Sequence, residues 1–331
     1  MNETAKTKQN IGKKFLAGCI TYIKRNTGIL IGLAVLCIVI SISSPIFLTQ
    51  KNMMNVLRQM STNLYLACGM TMILIAGGID LSVGSVIAVI GVLGGTLINM
   101  SLPLPLVIII CLAVGALFGL VNGGIIANTT IPPFIVTFSM MSILRGFAYV
   151  YTNGVTVRIN DPGYLEMGTG YLGAIPLPVV YLIVILLIVY TTMSKTRLGR
   201  HLYATGGNEK AARFSGINVK KIRLFVYIFS GVMAATAGLM LSSRSYSGNP
   251  IAGNGAEMDA IAACVLGGTS FSGGSGYIGG TIIGALIIAF LNNGLNLMGI
   301  GSFWQTILKG IVILAAVYVD YLKNLKKNSE K

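Results

Sequence analysis

Long apolar runs alternate with short polar breaks along almost the whole chain, and this pattern predicts membrane-spanning helices. A run of about 20 apolar residues can cross about 30 Å of hydrocarbon as a helix. The predicted segments are approximately Ile29 to Ile46, Asn63 to Ile79, Val83 to Met100, Pro105 to Ala127, Pro133 to Thr152, Pro178 to Met193, Leu224 to Ser242, Met258 to Leu266, Tyr277 to Asn296 and Phe303 to Leu322. We therefore predict an all-α polytopic membrane protein with about ten transmembrane helices and glycine-rich helix breaks. The eighth segment is too short to span as a helix, so we expect a broken or re-entrant segment there.

Composition agrees with this fold class. Hydrophobic residues make up 54% of the 331 residues and charged residues 10%, whereas soluble domains carry about 25% charged residues. The net charge of +15 is also found in nucleic-acid-binding proteins, but here the basic residues lie in the tails and in one loop. We therefore expect contact with membrane lipid and not with nucleic acid.

The positions of Lys and Arg predict the orientation of the chain. Eighteen of the 24 lie in the N-terminal tail (residues 1–28), in a loop over residues 194–223 and in the C-terminal tail (residues 323–331). Positive residues are retained on the cytoplasmic side of a membrane. Even numbers of predicted spans separate the three segments, so we expect both termini and the loop to be cytoplasmic. Residues 29–322 then form one transmembrane domain that includes the loop.

The basic loop contains the sequence features of a short helix. Asn208 can accept hydrogen bonds from free N–H groups of the first turn, Glu209 suits the positive end of the helix dipole, and Gly216 can take the left-handed conformation that ends the helix. One side of this helix would carry the larger side chains of Lys210, Arg213 and Phe214. Another side would carry the small side chains of Ala211, Ala212 and Ser215. The small side could dock closely into a partner. The alternative is an ordinary basic loop.

This loop resembles a known family. GNEKAARFSGINVKKIR and the neighbouring TRLGRHLYATGG resemble the coupling-helix segment of ribose-type ABC-transporter permeases, in the branched-chain amino acid/ribose permease superfamily. Similar runs extend from Ser44 to Asp320, among them GMTMILIAGGIDLSVGSV, FIVTFSMMSILRGFAYVYTNG, DAIAACVLGGTSFSGGSGYIGGTIIGALIIAFLNNGLNLMGI and FWQTILKGIVILAAV.

The resemblance implies the multi-pass membrane subunit of an importer for a monosaccharide, in the bacterial plasma (inner) membrane. It also implies three protein partners. These are a second permease copy in a homodimer, a cytoplasmic ATP-binding subunit that holds ATP and Mg and receives the coupling helix, and a periplasmic or lipid-anchored sugar-binding protein.

The chain itself lacks the residues of a nucleotide site. The glycine-rich run Gly267 to Gly276 has neither the lysine nor the preceding strand of a phosphate-binding GxxxxGK[ST] loop. His201 is the only histidine, so a histidine metal cluster and a Ser-His catalytic pair within the membrane are unavailable. We expect no enzyme activity, no cofactor and no metal in this chain, and energy that arrives through the helix from Asn208 to Gly216.

Polar residues inside the apolar segments are candidates for the translocation pathway. Asp80 lies in a glycine-rich break that we place near the cytoplasmic edge, where Asp80 or Ser82 can cap the restarting helix, with contact to substrate as the alternative. Amides near the external end of the ninth span can bind sugar hydroxyls or hold helices together. The candidate set is Asp80, Ser82, Ser85, Asn122, Asn292, Asn293 and Asn296.

Glycines and isolated charges in the spans give further expectations. Small surfaces that favour close helix packing are predicted at three pairs, Gly119 with Gly123, Gly91 with Gly95, and Gly280 with Gly284.

Arg145 and Lys309 are expected to reach toward a membrane interface, with a pathway position as the alternative for Arg145. Glu257 and Asp259 suit the N-terminal end of the helix they precede.

Two other functions stay open at this stage. An ion-coupled secondary sugar transporter needs buried acids, and Asp80 is the one plausible buried carboxylate. A branched-chain amino acid ABC permease would have a related architecture. The polar and mostly uncharged pathway candidates favour a sugar, but the sequence leaves the identity of the cargo open.

Overall fold

The computed structural model describes residues 27–329 of the chain. Residues 1–26 of the predicted N-terminal tail and the last two residues of the C-terminal tail lie outside this range. Within it the chain forms thirteen helices. They are α1 Thr27–Ser43, α2 Gln50–Ile75, α3 Val83–Asn99, α4 Leu104–Asn128, α5 Pro133–Thr152, α6 Pro162–Thr169, α7 Leu177–Lys195, α8 Arg197–Gly207, α9 Glu209–Phe214, α10 Val219–Arg244, α11 Ala256–Leu266, α12 Ile278–Leu297 and α13 Ser302–Ser329.

Every predicted apolar segment coincides with one of these helices. Five of them in the described range, α4, α5, α7, α10 and α12, are long and apolar enough to cross a membrane. The mostly helical, polytopic fold is therefore confirmed. The number of crossings and the orientation of the termini stay predictions.

Four two-residue strands correct the expectation that the fold is entirely helical. They are β1 Val157–Arg158, β2 Tyr171–Leu172, β3 Ile175–Pro176 and β4 Ser247–Gly248. β1 pairs antiparallel with β4, and β2 pairs antiparallel with β3 in a hairpin. Pairs this short leave no alternating pattern that a sequence reading could detect.

Helix α10 forms the centre of the fold, packing most extensively against α4 and also against α2 and α3. The close approach to α4 depends on the glycines predicted for it, because a Cβ atom at Gly119 would overlap the backbone of Tyr227 and Ile228. The other two predicted pairs also lie at contacts. Gly91 and Gly95 face α10 and the residues around β1, and Gly280 and Gly284 face Gly267 and Ala263.

The chain after α10 runs back along α3 before it becomes helical again. Gly248 lies against Gly91, and Gly253 lies against Gly84 in the first turn of α3. The 11-residue helix α11 follows, preceded by Gly255 in the left-handed region at φ +77°. The eighth predicted segment, Met258 to Leu266, therefore lies wholly within α11, and irregular chain precedes that helix. Whether the segment is broken or re-entrant in the membrane stays a prediction.

Candidate functional site

Helix α9 has the sequence-predicted features at both ends. Asn208 Oδ1 accepts a hydrogen bond from the Ala211 N–H at 3.0 Å, and Gly216 has φ +79°. The Gly216 N–H donates to the Arg213 carbonyl at 3.0 Å, and the Ile217 N–H donates to the Ala212 carbonyl at 3.0 Å. These two bonds are those of a Schellman motif, which satisfies carbonyls at the end of a helix. The short helix in the basic loop is therefore confirmed.

Glu209 fixes α9 to α10. Its carboxylate pairs with Arg213 one turn along α9 and with Arg223 on α10, each at 2.5 Å. Sequence reasoning missed Arg223, because the contact joins residues 14 positions apart on different helices. Among the small residues Ala212 is buried against this protein, at 4% exposure. The surface open to a partner carries the other predicted residues, Lys210, Ala211, Arg213, Phe214 and Ser215.

Helix α8 lies between α9 and two glycine-rich breaks of the chain, the one around Asp80 and the one from Gly267 to Gly276. A Cβ atom at Gly206 would overlap the Ile75 carbonyl at the end of α2. The same carbonyl accepts a hydrogen bond from the Gly274 N–H at 2.9 Å, and the Tyr203 hydroxyl donates to the Gly276 carbonyl at 2.8 Å. The two breaks therefore meet beside the basic loop, an adjacency that the sequence did not reveal.

Asp80 is the centre of a buried polar cluster. One carboxylate oxygen accepts hydrogen bonds from the Ser82 N–H at 3.0 Å and the Ser82 hydroxyl at 2.6 Å. The other accepts from the Ser230 hydroxyl at 3.0 Å, and the Asn122 amide donates to Ser82 Oγ at 3.0 Å. Asp80 bonds the backbone just before α3, whereas the Ser82 side chain makes no capping bond to the helix.

The cluster lies beside the middle of α10. Its member Ser230 is the twelfth of the 26 residues of that helix. The position of Asp80 relative to the cytoplasmic edge of the membrane stays a prediction. The side chains of Asp80, Ser82 and Asn122 are at most 2% exposed. Ser85 is also buried, and its hydroxyl finds no hydrogen-bond partner among the described residues.

The three asparagines of α12 bind three different partners. Asn293 exchanges two hydrogen bonds of 2.9 Å with Asn52 on α2, and Asn292 donates to Asp259 at 3.3 Å. Asn296 is exposed and accepts from Gln305 at 2.8 Å. They therefore do not converge on one site within this chain.

The charges inside predicted spans bind protein groups, and the expectation that they also reach toward a membrane interface stays a prediction. Arg145 on α5 donates to the carbonyls of Pro250 and Ala252 at 2.7 and 2.8 Å. Lys309 on α13 pairs with Asp259 on α11 at 2.9 Å. Arg145 supplies donors to an irregular segment that lacks helical hydrogen bonds, which is how non-helical chain is tolerated at membrane depth.

A metal site in a protein needs several His, Cys, Asp or Glu side chains close together. Between residues 27 and 329 no group of three or more His, Cys, Asp or Glu side chains is arranged to bind one. The chemistry that the arrangement does offer is hydrogen bonding by amides and hydroxyls, together with an exposed, charged helix.

Comparison with known protein families shows to which family the chain belongs. A family model described as the branched-chain amino acid transport system permease component matches residues 52–317. The chain belongs to this permease family. It is a multi-pass protein of the bacterial plasma (inner) membrane, in keeping with the five long apolar helices found within residues 27–329 and with its bacterial relatives.

Individual relatives resemble the permease over nearly its full length. It is 46% identical over 301 residues to the ribose import permease protein RbsC of Escherichia coli strain K12, covering 89% of this chain and 93% of the relative. It is 44% identical over 304 residues to the protein of the same name from Bacillus subtilis, covering 91% and 94%. The xylose transport system permease protein XylH of Haemophilus influenzae is 36% identical, covering 90% and 96%. No solved structure matches the permease significantly.

Proposed function

We propose that this chain is the transmembrane subunit of an ABC importer that moves a monosaccharide, ribose or a related pentose or hexose, into the cell. ATP hydrolysis on a separate subunit drives the movement, and this chain carries no ATPase site. The observation that carries the proposal is the 46% identity to a ribose import permease over 93% of that protein. The xylose permease relative supports a sugar cargo without selecting one sugar.

Helix α9 is the proposed receiver of the energy. Its exposed face offers Phe214, at 92% exposure, between the charges of Lys210 and Arg213. The opposite face is fixed by Ala212 and by the Glu209–Arg223 ion pair. A rigidly attached helix with an exposed apolar anchor is suited to dock into a cleft of an ATP-binding subunit. That partner, and not this chain, holds ATP and Mg.

In the proposed topology, the ATP-binding subunit and the sugar-binding protein contact opposite sides of the permease. With ten crossings and cytoplasmic termini, α8 and α9 face the ATP-binding subunit, and α6 with the β2–β3 hairpin faces the outside. A soluble sugar-binding protein delivers the cargo there, and a second copy of the permease completes the pathway.

The proposed pathway uses the less buried polar candidates. Asp80, Ser82, Ser85, Asn122 and Asn293 are buried within one chain, so we assign them to packing and helix restart. Asn292 and Asn296 remain candidates for contact with cargo. The exposed Asn254 joins them, because its irregular segment lies beside α3, and exposed amides at that depth need water or protein around them.

Reconstitution tests the function. The purified permease is placed in liposomes with its ATP-binding subunit and sugar-binding protein, and uptake of labelled ribose, xylose and leucine is followed with ATP inside. We expect ATP-dependent sugar uptake that is lost in Glu209→Lys and Arg213→Glu variants, which should still insert into the membrane. Normal uptake by those variants would reject α9 as the receiver.

Three other outcomes would favour the alternatives or remove the proposal. Uphill uptake by the permease alone, driven by a proton or sodium gradient, would identify a secondary transporter. Uptake of leucine in preference to sugars would identify a branched-chain amino acid importer. Failure to transport any of them with all subunits present and active would remove the proposed cargo class.

A further inference from the structure

Two arginines at the end of the fold opposite α9 have charges that no described residue neutralises. Arg58 lies on α2, and Arg244 is the last residue of α10. The three ion pairs within residues 27–329 all involve other residues. Arg58 and Arg244 are both partly buried. The backbone N of Arg244 lies beside Gly168, and the carbonyl of the next residue, Thr169, accepts a hydrogen bond from Arg58, so two like charges lie at the same end of the fold.

Both guanidinium groups have buried donors without partners. Arg58 donates through Nη2 to the Thr169 carbonyl at 2.9 Å and lies 4.4 Å from the centre of the Tyr171 ring, but its Nε is buried and unpaired. Arg244 Nη1 is buried and unpaired, and its side chain makes no hydrogen bond to any residue in the described range. Leaving buried charged donors unsatisfied is costly, so an acceptor with negative charge would stabilise this pair.

The surface around the pair has the character of a protein interface. Tyr171 and Leu172 of the β2–β3 hairpin are 51% and 62% exposed, and Tyr246 just after α10 is 55% exposed. The hairpin immediately precedes the first residue of α7. Aromatic and apolar side chains around a desolvated Arg are typical of the central part of a protein–protein interface.

We propose that Arg58 and Arg244 bind a carboxylate side chain of the soluble sugar-binding protein, at the end of the permease opposite α9. This inference rests on the proposed function, since it takes the partner from it. The unpaired Nε and Nη1 are themselves buried, so the carboxylate would contact the exposed parts of the two partly buried arginine side chains and neutralise their charge, as in other charge-assisted Arg–carboxylate pairs. A protein partner supplies its anions as Asp and Glu, which is why we assign a carboxylate.

Affinity measurements on the intact complex test the site. Permease with its ATP-binding subunit is held in phosphatidylcholine nanodiscs, and binding of the ribose-loaded sugar-binding protein is measured at two salt concentrations. We expect Arg244→Gln to weaken binding by roughly 30-fold or more, the usual consequence of truncating a buried charge pair. Arg244→Lys keeps the charge and should lose less. The exposed Arg158 of β1 is the matched control, and Arg158→Gln should change affinity by less than about fivefold.

The stability of the free permease separates binding from a structural role. Arg244 makes no internal bond that Gln would break, and its buried charge is uncompensated, so Arg244→Gln should raise the melting temperature while it lowers the affinity. A structural arginine would lower both. Arg58→Gln separates binding from a structural role less directly than Arg244→Gln does, because it also removes the hydrogen bond to the Thr169 carbonyl.

Several outcomes would overturn the proposal. Unchanged affinity in Arg244→Gln would remove the site, and equal losses in Arg158→Gln would indicate general attraction between charged surfaces. If phosphatidylglycerol raises the melting temperature of the wild type but not of Arg244→Gln, and the partner binds both equally, the occupant is a lipid phosphate. If the wild type transports no sugar and binds no sugar-binding protein, the proposed function itself has failed.

Discussion

Asp80 shows how a carboxylate can be kept inside this fold without a cation. Its oxygens accept three hydrogen bonds, two from Ser82 and one from Ser230, and it forms none of the ion pairs among residues 27–329. Burial of a charged group is costly unless hydrogen bonds replace its water. The bonds join the break before α3 to the middle of α10, which favours a structural role over contact with cargo.

Substitution of Asp80 distinguishes the two roles. Asp80→Asn keeps the shape and removes the buried charge, so we expect stability to stay the same or rise and sugar uptake to persist. Asp80→Ala leaves the Ser82 and Ser230 donors unpaired, at a cost of about 1–3 kcal/mol for each buried donor left without a partner. Thermal unfolding in nanodiscs and uptake in liposomes measure both. Loss of uptake in Asp80→Asn at unchanged melting temperature would show that the carboxylate acts in transport.

The sequence located the unusual residues but not their partners. Asp80, Arg145 and Lys309 could be identified because each interrupts an apolar run. Their partners lie 150, 105 and 50 positions away, and no local pattern encodes such contacts. For the same reason Asn292, Asn293 and Asn296 looked like one cluster on a helical wheel, although each binds a different element.

At the scale of elements, the packing of α4 on α10 depends on missing side chains. In lipid, helices are held together by close contact and not by the hydrophobic effect. Gly115, Gly119 and Gly123 recur every four residues on the face of α4 that contacts α10, and a Cβ at any of them would crowd the backbone or side chains of that helix. The stripe is local and periodic, so the sequence could predict it.

A matched pair of glycines on α4 tests this packing. Gly119→Ala introduces a methyl group against the Tyr227 carbonyl and should destabilise by about 1–3 kcal/mol through overpacking. Gly124→Ala is the control on the same helix, because a Cβ there meets nothing within 4 Å. It should be neutral or stabilising by up to about 1 kcal/mol, since alanine favours helix. Melting temperatures that move together in both variants would contradict the close-packing argument.

Elements without a strong apolar run were harder to predict. Helix α2 begins at Gln50, well before the predicted start at Asn63, because Lys51, Asn52 and Arg58 lower the local hydropathy. Helices α6 and α8 and the four strands were not predicted at all. Their positions depend on contacts with distant elements, such as the hydrogen bond from the Gly168 N–H to Ser243 on α10 at 2.7 Å.

At the scale of the whole molecule, α10 connects the two ends at which partners are proposed to act. Its 26 residues give a length of about 39 Å. Arg223 near its first turn pairs with Glu209 of α9, and its last residue is the proposed carboxylate-binding Arg244. Between them α10 packs along α4, α3 and α2. If α9 receives the energy as proposed, its movement would reach the opposite end of the molecule through one continuous helix.

Removal of the Glu209–Arg223 pair should uncouple α9 from α10 without unfolding either. The pair is partly exposed, at 34% and 23% of the two side chains, so its loss should cost only about 0.2–1 kcal/mol of stability. We expect Arg223→Met to retain basal ATPase activity in the assembled complex but to lose most of its stimulation by loaded sugar-binding protein. Lys221→Met, two residues away and exposed, is the control and should be stimulated normally.

An exchange of charges separates the ion pair from other roles of Arg223. Glu209→Arg combined with Arg223→Glu rebuilds the link between the helices but places the introduced guanidinium beside Arg213, so it should restore only part of the stimulation. Each single exchange puts like charges face to face and should be worse than Arg223→Met. If all these variants are stimulated as strongly as the wild type, the ion pair does not carry the coupling. The remaining connection would then be the packing of α8 against the two glycine-rich breaks.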